Sequence, residues 1–82
     1  MRNIYTLLEA LGFTDVAAST DDLLRRSEGA REQLRFNVRE RYRLLNSQIT
    51  GESGTDELKR QLLREDYQAC LDEIERLGGG GA

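Results

Sequence analysis

The first apolar residues of the chain, Ile4, Leu7, Leu8 and Leu11, recur at the i, i+3, i+4, i+7 spacing that places them on one face of a helix. Asn3 stands where an N-cap side chain belongs. Gly12 stands where a helix ends in the left-handed region, and Phe13 after it can fold back onto Leu8 in a Schellman contact. The pattern predicts a first helix ending near Leu11 and a short connector over residues 14–18. Ser19 or Thr20 caps the next helix, with Asp21 and Asp22 in a first turn where the helix dipole favours negative charge. From about Thr20 to Ile49 there is no proline and one glycine, Gly29. Leu23, Leu24, Ala30, Leu34, Val38, Tyr42, Leu45 and Ile49 fall in one arc, so the simplest reading is a single helix of roughly 30 residues and about 45 Å.

Thr50 to Gly54 reads as a loop, Thr55 as the cap of a third helix, and Leu77 as that helix's end before the glycine run. Leu63, Tyr67, Cys70, Ile74 and Leu77 alternate spacings of four and three, the seam of a coiled coil. Folding this helix back about the loop aligns the two seams at positions whose numbers sum to 104 or 105. Tyr42 then meets Leu63, Val38 meets Tyr67, Leu34 meets Cys70 and Ala30 meets Ile74. The same register sets Arg31 beside Glu73 and Arg41 near Asp66. The expected fold is all-α: a long, coiled-coil-like antiparallel helical hairpin with a short N-terminal helix, three helices in total. Residues 1–77 form one helical domain and 78–82 a flexible glycine-rich tail.

A chain of 82 residues buries a limited core, so association with a partner is a live expectation from size alone. Its charge balance of 12 basic to 15 acidic residues gives a net charge of -3, so attraction to polyanions must come from a local patch. With no histidine and a single cysteine, Cys70, the usual general base, metal ligands and thiol dyad are missing, and neither enzyme activity nor a cofactor or metal is expected. Cys70 sits between Tyr67 and Ile74 on the seam and reads as a small buried hydrophobe. The acid pairs Glu65, Asp66 and Asp72, Glu73 read as solvated helix face. No apolar run is long enough for a membrane span, and the N-terminal residues are too polar for a signal peptide, so a cytoplasmic location is expected.

The stretch REQLRFNVRERYR, Arg31 to Arg43, carries candidate binding chemistry. At 100° per residue Phe36 lies opposite the apolar arc, flanked by Arg39 and Arg43. Leu44 is also off-centre, and Leu58 and Leu62 form a second apolar stripe on the third helix. Phe36, Arg39, Arg43, Leu44, Leu58 and Leu62 are therefore the candidate partner-binding residues, the partner being a second copy of the chain in a homodimer or another protein. The alternative is an arginine-rich nucleic-acid module, since residues 25–43 carry seven arginines against three glutamates and a phenylalanine able to stack on a base.

Two stretches resemble known families. Glu73, Ile74, Leu77 and Gly79-Gly80 resemble the double-glycine cleavage pattern of peptide-export leaders, which implies a truncated leader, because only Gly81 and Ala82 would follow the cut. YTLLEALGF resembles the start of a J-domain; without histidine or proline the His-Pro-Asp turn is missing, so that family's chaperone-stimulating activity is not implied.

Overall fold

The computed structural model describes residues 3–80, and every element in that span is helical: α1 (Ile4–Ala10), α2 (Thr20–Arg26), α3 (Glu28–Ser47) and α4 (Gly54–Glu75). An irregular helical turn, Arg76–Gly80, continues α4. Residues 81–82, the end of the expected glycine tail and the cargo of the leader reading, lie outside the described residues.

α1 forms as its sequence predicts. Asn3 Oδ1 accepts from the Thr6 amide at 2.9 Å. Gly12 takes φ +92, and the Phe13 and Gly12 amides donate to the Leu8 and Glu9 carbonyls at 3.0 and 2.9 Å, the paired bonds of a Schellman end. Tyr5 then pins the connector: its hydroxyl donates to the Ala18 carbonyl at 2.7 Å and accepts from the Asp21 amide in the first turn of α2. Ser19 occupies the cap position of α2 without a side-chain bond.

There are four helices where the sequence reading has three. The single helix expected from Thr20 to Ile49 is broken at Ser27, whose backbone is extended at φ -124 and ψ 114. Its hydroxyl accepts from the Ala30 amide at 3.1 Å and so starts α3 as an N-cap. Arg31 reaches back across the break and donates to the Leu24 carbonyl at 2.7 Å, satisfying a group that the end of α2 leaves open. The break reorients α2: Leu24 is buried, whereas Leu23, expected on the same arc, is half exposed. α4 starts two residues earlier than expected, because Ser53 rather than Thr55 accepts from the Asp56 amide.

The core consists of Ile4, Leu7, Leu8, Leu11, Leu24, Val38, Cys70, Ile74 and Leu77. Four of these nine come from α1 and its cap, so the first helix is the centre of the core. α1 packs on α4, the C-terminal turn packs on α2, and α3 packs along α4. Arg60 of α4 donates to the Ile49 and Gly51 carbonyls of the connection, and from α3 Tyr42 stacks on Tyr67 and Arg31 lies beside Gly78. Tyr42 stacks on Tyr67, four residues beyond the Leu63 expected opposite it. The Arg60 side chain, from the second turn of α4, ties that helix to the connection by donating to the Ile49 carbonyl at 3.1 Å.

Candidate functional site

The buried residues are confined to one part of the chain. None of residues 39–69 is buried, although the second half of α3 and two thirds of α4 lie there. The molecule is elongated, 43 × 24 × 18 Å, and its loop-proximal part consists of two helices touching along one half-buried line. Tyr42 and Tyr67 stack on this line with ring centroids 4.4 Å apart and planes 5° from parallel, and Leu45, Ile49 and Leu63 continue it.

The six candidate residues are all solvent-exposed. Phe36, Leu44, Leu58 and Leu62 keep 53%, 51%, 54% and 51% of their surface, and α1 covers none of them. Arg39 and Arg43 flank Glu40 at 3.9 and 3.6 Å, exposed pairs of little energetic consequence. The structure does not gather all six in one groove. Phe36 and Arg39 line a groove together with Glu32 and Arg35 from α3 and the half-buried Tyr67 and Leu71 from α4. Arg43, Leu44, Leu58 and Leu62 lie outside it. On α3, Leu44 is about 140° around the helix from Arg39 at 100° per residue. Arg35, Tyr67 and Leu71 are the groove residues that pattern reading missed. For Leu71 the missed signal is its place four residues after Tyr67, on the flank of the seam.

Two polar placements also differ from expectation. Glu73 is 6% exposed, where a solvated face was expected, and its carboxylate accepts from Arg76, with the Nε contact at 2.7 Å. The bond and charge of Glu73 raise the Arg76 guanidinium above its ordinary value. Arg31, expected beside Glu73, donates to the Leu24 carbonyl and lies beside Gly78. Cys70 is fully buried; that burial, with the charge of Glu73 second, pushes its thiol up to about 12 and leaves it unreactive as a nucleophile. Arg41 lies over the Phe13 ring, 5.2 Å from its centroid.

No family model, curated protein or solved structure matches the chain. Among the described residues no helix is long and apolar enough to cross a membrane.

Proposed function

We propose that this chain is a cytoplasmic, non-enzymatic protein–protein interaction module, a small adaptor, regulator, inhibitor or assembly subunit that acts by burying helix faces. α3 and α4 form its antiparallel hairpin. Support for the hairpin comes from the order of its contacts, since Ile49 is level with Arg60, Tyr42 with Tyr67 and Arg31 with Gly78. The observation that carries the interaction reading is the absence of any buried residue over 39–69, a segment that exposes Leu44, Leu58 and Leu62, with the exposed Phe36 just before it. Two helices bury one stripe each; the apolar positions left over need another surface.

The Phe36 groove is the stronger half of that surface. An aromatic ring beside Leu71 and Tyr67, edged by Arg35 and Arg39, combines the side chains that anchor protein contacts. A second hairpin in a symmetric dimer, making a four-helix layer, is the most economical partner; a helix of another protein is the competing form. The nucleic-acid alternative has less support, because Glu32 lines the same groove and Glu40 engages Arg39 and Arg43.

Sedimentation equilibrium over a wide concentration range tests the reading. Wild type is expected to self-associate, and Phe36→Ala or Leu62→Glu to weaken association with little change in melting temperature. A strict monomer at the highest concentration, together with no protein captured by immobilised wild type that Phe36→Ala fails to capture, would count against it. Oligonucleotide affinity at physiological salt that falls steeply as salt rises would replace it with the nucleic-acid reading.

A further inference from the structure

A second cleft, sharing no residue with the Phe36 groove, lies between the connector after α1 and the middle of α3. Its apolar lining comes from Leu8, Phe13, Val16 and Leu34, and its volume of about 350 Å³ is at the small end of ligand pockets. Arg41 stands in its wall, half-buried, with the guanidinium carbon 5.2 Å from the centroid of Phe13. Stacking of this kind fixes the plane of the guanidinium and leaves its N–H edge free for a planar anion.

The neighbouring polar groups suit an anion as well. Asn37, whose Oδ1 accepts from Gln33 Nε2 at 3.1 Å, lines the cleft and carries an amide N–H group that can donate to an anion. Thr20 adds a hydroxyl. Asp15 also lines the cleft, so one fixed cation faces one fixed anion and a dianion would meet no excess of positive charge. Nothing in the interaction reading above requires this cleft.

We infer that the cleft binds a small monocarboxylate carried on an apolar body, with the carboxylate bridging the Arg41 fork and the Asn37 amide and the body lying on Leu8, Phe13 and Leu34. Such a group exists as a free organic acid or as the last residue of a peptide, and both present the same chemistry. Nitrogen-15 NMR of the full chain, including the arginine Nε–H signals, tests the site with phenylacetate, N-acetyl-leucine, phenylacetamide and inorganic phosphate as probes. Saturable shifts at Arg41 Nε and the Asn37 side-chain amide are expected for the two carboxylates, with dissociation constants on the order of millimolar. Phenylacetamide is expected to bind about tenfold more weakly or worse, having lost the charge-assisted bonds. Arg41→Lys keeps the charge but loses the fork and the stacking, and is expected to weaken carboxylate binding by a similar factor. Tighter binding of N-acetyl-leucine would identify a peptide terminus as the source, and tighter phenylacetate a free acid. An amide or phosphate that matches the carboxylates, or shifts at Arg35 and Arg39 as large as those at Arg41, would overturn the proposal. The comparison of acid with amide is made on wild type and stands even if the Arg41 variant fails to fold.

Discussion

Cys70 is enclosed by the core, and its thiol, pushed up to about 12 by burial and then by Glu73, holds its proton more tightly in the folded state than in the unfolded one. Its contribution to stability is therefore fully present below 9.0 and lost as pH rises from there towards about 12. Urea midpoints measured across that window are expected to fall more for wild type than for Cys70→Ala. Iodoacetamide labelling of native protein is expected to be slow and to accelerate only as the chain unfolds, which quenched mass spectrometry would follow. Apolar positions divide by the same criterion of enclosure. Ile74 is fully buried, so Ile74→Ala should cost about 2–5 kcal/mol, and the half-buried Leu34 less than half of that on the same substitution. Equal losses in urea denaturation would place Leu34 in the core as well.

Among the elements, α1 was readable from the sequence to its last hydrogen bond, because every signal in it is local: a cap, a 3–4 spacing, a glycine and the residue after it. The break between α2 and α3 was not. Serine in a helical pattern does not reveal whether its hydroxyl will cap or point to water, and Ser27 caps because Leu24 gains burial and Arg31 takes the freed carbonyl. The partner of Tyr42 escaped as well: seam arithmetic set Leu63 opposite it, and its ring stacks on Tyr67. The six candidate binding residues are all exposed, but angular position on separate helices could not tell that Phe36 and Arg39 share a groove from which Arg43, Leu44, Leu58 and Leu62 are absent. Ser27→Ala is expected to cost about 1 kcal/mol without fusing the helices. Carbon-13 shifts at position 27 that turn helical would show instead that the cap, and not the packing of Leu24, maintains the break.

In the whole molecule, enclosure is concentrated around α1, Val38 and residues 70–77, while the loop-proximal half holds together by one half-buried line. Local stability should follow that division. Hydrogen exchange in dilute protein is expected to be slowest in α1 and at 70–77 and faster over 42–66, with protection of the latter rising as concentration promotes association. Uniform protection in the dilute monomer would mean that the exposed half needs no partner. The ring stack within that half also gives the chain an optical property. With no tryptophan, its absorbance near 280 nm comes from three tyrosines, and two of them, Tyr42 and Tyr67, lie parallel at 4.4 Å across the α3–α4 contact. Electronic coupling between such rings produces a near-ultraviolet circular dichroism band that vanishes when they part, whatever the helix content. The protein thus carries its own gauge of whether the two long helices are closed on each other, readable without a label and separable from unfolding by a single Tyr67→Leu control.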